Sequence, residues 1–422
     1  MKVIVHKFGG TCVESEESQL LSAERIMEAK DHGLHPIVAV SAAGRMGQPY
    51  STAELVGMVT RIDPHIRPRE LDLLMSCGEI ISTVAMAHLL SAKGYDTIAL
   101  TGGQAGLITD VYHGHAQIIR IDPQTVLQAL QQRKIVFVAG FQGISENHDI
   151  TTLGEGGSDY TAVALAVVLS QTGHLPFGDE LEMAPVHIFK EVDGVMSANP
   201  KNFVDCAENE SPHVLTRLSY DECVEMSGLG AEVIQNKAAR MARKHKVPLM
   251  VRNFRRAEVQ GTKMGEEPAP TPSGKATSVA DMANLALFTI KSDNARLSGQ
   301  LAEHLNMERL THFVMGQEDG EVRFAVKREK YRDVIDLVGR VLFLRGMKAD
   351  IMPGGYGLVS LVGERLRGEQ AGLQDLASGT LKEAGIEVLG TICGDLSISY
   401  LVGEDSRAQS VKLLHSRFCS KE

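Results

Sequence analysis

The chain has 422 residues, 43% of them hydrophobic, and a formal net charge of −10 with acidic and basic residues interspersed. That length can build two or three cores, while an aromatic content of 5% without Trp, set beside the acid excess, argues against a nucleic-acid surface. No basic, apolar leader opens the chain and no run approaches about 18 apolar residues, so neither export nor a membrane partner is expected and the cytoplasm is the expected compartment. Cys12, Cys77, Cys206, Cys223, Cys393 and Cys419 lie far apart, with no CxxC pair and no zinc spacing, which predicts free thiols and no metal site.

The first predicted strand, residues 3–7, is β-branched and runs straight into Lys7, Phe8, Gly9, Gly10 and Thr11. Paired glycines let backbone N–H groups approach a phosphoryl group closely, and Lys7, expected as an exposed charge at the strand end, supplies a compact cation beside them. A helix is predicted over 16–30, then strands at 36–40, 97–100, 135–139 and 186–189, with helices at 80–93 and 160–169. Such alternation predicts a mostly parallel sheet covered on both faces, with ligands outside the carboxyl ends of its strands. Gly, Ser or Thr follows nearly every strand, as in Ser41-Ala-Ala-Gly44, Thr101-Gly-Gly103 and Gly140-Phe-Gln-Gly143. His6, His113, His115 and His148 have no partner that spacing identifies, and are expected to be solvated or hydrogen-bonded rather than catalytic.

Residues 261–283 read as a Gly- and Pro-rich linker after a domain spanning 1–260. Two smaller strand–helix–strand repeats are expected beyond it, at 284–350 and 351–422, the second clearer than the first. No Walker A motif is present, so phosphate binding falls to the Lys7 loop.

Lys7-Phe-Gly-Gly-Thr11 after an N-terminal strand resembles the opening of the aspartate kinases of the amino-acid kinase family. The resemblance extends over essentially the whole chain. Ser41–Thr52 is similar to the family's substrate loop, 66–79 to the segment presenting a substrate-binding glutamate, here Glu79, and Thr151–Asp159 to the Gly-Arg-Gly-Gly-Ser-Asp loop. Val192–Val195 and Ala198–Pro200 resemble the nucleotide-binding hairpin. The fold implied is a three-layer α/β sandwich with a mostly parallel sheet, followed by paired ACT-like (ferredoxin-like) α+β modules. These modules imply an amino-acid effector and a homodimer or higher oligomer, or a dimer interface alone. The activity implied is ATP- and Mg²⁺-dependent phosphorylation of the side-chain carboxylate of aspartate or a related acidic amino acid, as in lysine biosynthesis. A carboxylate nucleophile is ionised at neutral pH, so positioning and charge neutralisation are the catalytic needs.

By that resemblance Lys7 and Asp159 are catalytic. Lys7, Gly9, Gly10, Thr11, Lys190, Asp193 and Lys201 bind ATP and its phosphates, while Ser41, Thr52, Glu79, Glu155, Gly156, Gly157 and Ser158 bind the amino acid. Ser158 or Asp159 also fits a helix N-cap, and Glu79 a first-turn glutamate favoured by the helix dipole. The pattern breaks at Glu155, where the family has an arginine gripping the substrate's α-carboxylate; Lys190, Lys201, Lys237 and Arg240 are candidate compensating cations. Glu232 replaces an expected lysine, and Cys12 an expected serine. A kinase with altered recognition and a catalytically weak, ligand-binding or regulatory homologue both remain open at this point.

Overall fold

The computed structural model describes residues 1–422 except 177, 207–210, 233, 268–274, 293–295, 319–320, 344–348 and 420–422. Two compact units divide the chain: the first comprises Met1–Val195, Val214–Val224 and Glu232–Pro268, and the second comprises Met196–His213, Glu225–Ala231 and Ala269–Glu422.

The chain begins with β1 (Lys2–Phe8), α1 (Glu16–Asp31), β2 (His35–Val40), α2 (Thr52–Thr60), α3 (Pro68–Ala92), β3 (Thr97–Leu100), β4 (Leu107–Thr109), β5 (Ile118–Ile121), α4 (Gln124–Gln131) and β6 (Ile135–Ala139). Next come β7 (Gln142–Ser145), β8 (Ile150–Thr152), α5 (Gly157–Thr172), β9 (Glu182–Met183), β10 (Val186–Lys190) and β11 (Val195–Met196). The stretch closes with β12 (Val214–Leu215), β13 (Arg217–Ser219), α6 (Tyr220–Gly228), α7 (Asn236–His245), β14 (Leu249–Asn253) and β15 (Thr262–Gly265). The main sheet runs β13-β15-β14-β10-β1-β2-β6-β3, with β9 paired to β1. From β14 to β3 every pairing is parallel, and β15 joins β14 antiparallel. All of β1 except Lys2 is buried, as two-sided coverage requires.

Two features position the site. After β1 the chain adds β2, β3 and β6 on one side and later β10 and β14 on the other, so the loops leaving β1 and β10 diverge and open a crevice at the carboxyl edge. The second is α3, of 25 residues, which starts 12 residues before the helix expected at 80–93. Pro68 sits in its first turn, where a proline costs nothing, and Gly78 lies inside it as a packing residue rather than a breaker. A Cβ on Gly78 would lie 2.8 Å from both the Ala42 Cβ and the Tyr50 carbonyl oxygen. By length and composition α3 is also apolar enough to cross a membrane, but here it buries Asp72, Ser76, Glu79, Ser82 and Thr83.

The second unit contains β16 (Ser278–Lys291), α8 (Leu297–Met307), β17 (His312–Glu318), β18 (Glu321–Lys327), α9 (Tyr331–Phe343), β19 (Ala349–Val362), α10 (Gln370–Glu383), β20 (Val388–Cys393), β21 (Ser397–Gly403) and α11 (Glu404–Phe418). One antiparallel sheet holds its strands in the order β17-β18-β16-β19-β21-β20. Each half follows a βαββα path. The expected boundaries at 284 and 350/351 and both ends of the linker over 261–283 need correction, while its residues 268–274 lie outside the described residues. Residues 262–265 are β15 of the first unit's sheet, and 278–283 already lie in β16.

Long strands explain the difference. The start of β16 pairs with the end of β19 (Ser278 opposite Val362) and its end with the start of β19 (Ile290 opposite Ala349), so both strands serve both cores. One core joins Val279, Val359 and Leu361 to Leu373, Val411 and Phe418. The other joins Phe288 and Ile290 to Leu301, Phe324 and Val338, with Ala349 and Ile351 packed against it. The second module is thus begun before the first is built and completed after it, an interleaving that local periodicity cannot reveal.

Candidate active site

At the carboxyl end of β1 the Lys7 Nζ lies 2.8 Å from the Asp159 Oδ1, with both side chains buried. The expected exposed strand-end lysine is therefore corrected. Its strand position turns it towards α5 beneath the glycine loop, where only a carboxylate makes burial of the ammonium tolerable. Asp159 stands in the first turn of α5 yet caps nothing: the N-cap is Gly156 (φ 71°), without a side-chain bond. Instead the Asp159 Oδ2 accepts the Gln235 backbone N–H at 3.1 Å. Burial pushes this carboxyl up, but Lys7 and Lys190 outweigh it and hold it below the usual range.

Lys190 ends β10 and donates to the Glu232 carbonyl at 2.7 Å. Burial depresses its pKa, while Asp159 pulls it up. Two cations thus converge electrostatically on one carboxylate. Lys190 is thus the candidate compensating cation that lies beside the pair.

The loops that follow β1 and β2 meet beside this pair. The Ser41 N–H donates to the Phe8 carbonyl at 3.1 Å, and the Gly44 N–H to the Gly10 carbonyl at 3.1 Å. A Cβ on Gly10 would stand 2.8 Å from the Ala42 carbonyl oxygen and 3.0 Å from that of Gly44. Gly10→Ala is accordingly expected to force the loops apart, costing about 1–3 kcal/mol of stability and most of the activity; thermal melting and kcat/KM check both. Thr11 continues the loop in a short 3-10 turn, Gly10–Cys12. Burial pushes the Cys12 thiol up to about 11, so it is a packing group and not a nucleophile.

Glu79 faces this loop from α3. Its Oε1 accepts the Ala42 N–H at 3.1 Å, whereas its Oε2 is buried without a hydrogen bond among the described residues. It sits mid-helix and not in a first turn, so a helix-dipole role is excluded. Burial pushes its carboxyl up to about 8. A buried carboxyl with one empty oxygen is a receptor for a cation, and an ammonium there would ionise it.

The remaining expected residues divide. Gly157 and Ser158 are buried at the start of α5, and Thr52 begins α2 behind its N-cap Ser51. Glu155 is exposed, its backbone carbonyl accepting from the Gln235 side chain at 2.8 Å. Asp193 is held by Arg256 at 2.6 Å and Asn253 at 2.8 Å. Lys201, expected at the phosphates, is exposed on a 3-10 turn, Pro200–Phe203, in the second unit. The Lys237 ammonium donates to the Leu153, Ala116 and His115 carbonyls, and Arg240 to Asn236, which accounts for two of the candidate compensating cations locally.

Asp72 and Gln235 were not singled out in the sequence. Asp72 is buried and accepts from Thr152 N–H and Oγ1, Gly114 N–H and the His113 ring, tying α3 to the strand that leads into the 153–157 loop. Its only signal was its place inside the 66–79 segment. Gln235 carried none, because it contributes a backbone N–H. Among the described residues no group of three His, Cys, Asp or Glu side chains could hold a metal ion.

A parallel sheet whose switch point carries a glycine loop and a buried lysine–aspartate pair defines a phosphoryl-transfer site of the amino-acid kinase type. Residues 2–253 match the amino acid kinase family. Over 426 aligned residues the chain is 32% identical to an aspartokinase of Geobacillus stearothermophilus, covering 99% of this chain and 97% of that protein. It is 31% identical over 435 residues to aspartokinase 2 of Bacillus subtilis, with 99% and 98% covered. E. coli aspartokinase III, solved with aspartate and ADP in its R-state, shares the fold at a TM-score of 0.76 and 20% identity, with 98% of this chain and 99% of that one covered. The chain belongs to the amino acid kinase family and, within it, to the aspartokinases.

Proposed function

We propose that this protein transfers the γ-phosphoryl group of ATP to the side-chain carboxylate of L-aspartate, giving 4-phospho-L-aspartate and ADP. The observation that carries this reading is the Lys7–Asp159 pair at the glycine loop, with Glu79 bound to Ala42 of the neighbouring loop that the Gly44 N–H ties to Gly10. Glu79 would receive the substrate ammonium. The attacking carboxylate is already ionised and needs no base. Lys7, held by Asp159, would neutralise charge on the moving phosphoryl beside the Gly9-Gly10 backbone. Mg²⁺ would arrive with ATP as part of the substrate complex. Assay of ADP release by the full chain across aspartate and other acidic amino acids tests the reading; release that does not depend on an amino acid would overturn it.

Glu155 bears on recognition. A carboxylate where the family grips the α-carboxylate repels it, so Glu155→Arg is expected to tighten aspartate binding. Because the position is exposed, the gain should be roughly three- to tenfold. Calorimetric titration with Mg²⁺ and a non-hydrolysable ATP analogue measures it, and weaker binding by the variant would show that another cation already serves the carboxylate.

For the second unit we propose effector binding and homodimer formation. E. coli aspartokinase III has been solved with lysine and aspartate in its T-state, and lysine is the effector to test here first. Light scattering of the full chain should return twice its mass, and a monomer would refute the dimer.

A further inference from the structure

Of the histidines expected to be solvated or hydrogen-bonded, His6 is neither: it is buried, stacked on His187, and its ring nitrogens have no hydrogen bond among the described residues. His113 is hydrogen-bonded, its ring 2.9 Å from the Asp72 carboxylate. The segment it opens, residues 113–116, belongs to a clamp outside the phosphoryl-transfer pair. Within that segment the Ala116 N–H donates to the Thr152 carbonyl at 2.9 Å, so it runs alongside the end of β8, from which the 153–157 loop departs.

Two side chains of opposite charge grip these segments, one from α3 and one from α7. The buried Asp72 takes their N–H groups, those of Gly114 and Thr152 at 3.0 Å each, with the Thr152 hydroxyl at 2.6 Å. The half-buried Lys237 takes their carbonyls, that of Leu153 at 3.0 Å, of Ala116 at 3.2 Å and of His115 at 3.4 Å. Three acceptors match the three N–H donors of an ammonium, and each such bond is charge-assisted. Carbonyls that leave a strand for a loop lose their ladder partners and need a replacement, which Lys237 supplies.

Its place in the chain decides what the clamp serves. Leu153 directly precedes the residues that carry Glu155 and run into the first turn of α5, where Asp159 meets Lys7. Gln235, two residues before Lys237, holds the same stretch further along, its side chain at the Glu155 carbonyl (2.8 Å) and its N–H at Asp159 (3.1 Å). The start of α7 therefore reaches this stretch at residues 153, 155 and 159. Asp159 keeps Gln235 and Lys7 whether or not Lys237 is present. Loss of the ammonium should accordingly loosen the Glu155 side of the site and spare the phosphoryl side.

We propose that Lys237 is a positioning residue for the amino-acid substrate: it touches no reacting group, and through three backbone carbonyls it holds the 153–157 loop in place beside Asp159. The role assigned to that loop rests on the aspartate reading above. Hydrogen exchange of the full-length protein, read by mass spectrometry, should be at least about tenfold faster over residues 151–159 in Lys237→Met than in the wild type, with β1 unchanged. Steady-state assay of the same variant should show KM for aspartate raised about tenfold and KM for ATP within about twofold of the wild type. Lys237→Arg, which keeps the charge and several N–H donors, should stay within about threefold of the wild type in both measurements. Lys237→Gln, with a shorter neutral donor, should lie between the two and gives the same readings if Lys237→Met does not fold. Unchanged exchange over 151–159, equal acceleration in β1, KM values for aspartate and ATP that rise together, or Lys237→Arg no better than the neutral variants would each overturn the proposal. A wild type without aspartate-dependent ADP release would refute the aspartate reading instead, and exchange over 151–159 then decides by itself whether Lys237 holds the loop.

Discussion

Lys7→Met is expected to lower kcat about 10²–10³-fold, the scale of losing one preorganised charge contact to a developing anion. It should also destabilise the protein, by about 3–5 kcal/mol, because Asp159 would remain as a buried carboxylate stripped of its principal cation. Adding Asp159→Asn should restore most of the lost stability while activity stays absent. That divergence separates the chemical role of Lys7 from its structural one. Turnover near the wild-type level in either variant would remove Lys7 from the mechanism, and an unchanged melting temperature in Lys7→Met would contradict the buried pair. The pH dependence follows the same geometry. Asp159 is depressed in the folded state, so its contribution is present above the ordinary carboxylate pKa and is lost as pH falls through the lower folded value.

Glu79→Gln should have opposite effects on binding and stability. The carboxyl titrates near 8 in the folded protein against 4.5 as its reference value, so the native state binds the extra proton. Its contribution to stability is therefore full below about 4.5 and is lost as pH rises through about 8. Glutamine cannot ionise, and at pH above 8 the variant should melt higher than the wild type, by an amount on the order of a few kcal/mol. Aspartate binding should weaken about 10²-fold, since a neutral amide replaces a carboxylate facing an ammonium. Wild-type affinity for aspartate should rise with pH towards 8 while that of Glu79→Gln stays flat over the same range. Titration calorimetry at several pH values reads this, and a wild-type affinity independent of pH would exclude Glu79 as the ammonium receptor.

The paired glycines and Lys7 drew notice because phosphoryl chemistry demands particular residue types at strand ends, whereas Glu79 and Asp159, which lie on helices, were singled out through the family resemblance. Their neighbours were less legible. Gln235 reaches Asp159 through a backbone N–H, a group every non-proline residue carries. Lys201 and Asp193 matched a motif; that Lys201 belongs to the second unit and that Asp193 is engaged by Arg256 and Asn253 could not be read from it. Motif spacing records order along the chain, whereas these outcomes depend on which segment packs where.

By itself the sequence determined the alternation of strands and helices, the parallel character of the first sheet and the glycine loop at the end of β1, since these rest on local periodicity and backbone freedom. Only the tertiary structure decided that Lys7 is buried against Asp159, that Gly78 lies inside a continuous α3, that β16 and β19 each serve two cores, and that His6 is buried in a stack on His187. Each of these turns on contacts between residues distant in the chain. Burial and charge pairing there are set by the neighbours that the fold supplies, and local sequence carries no record of them.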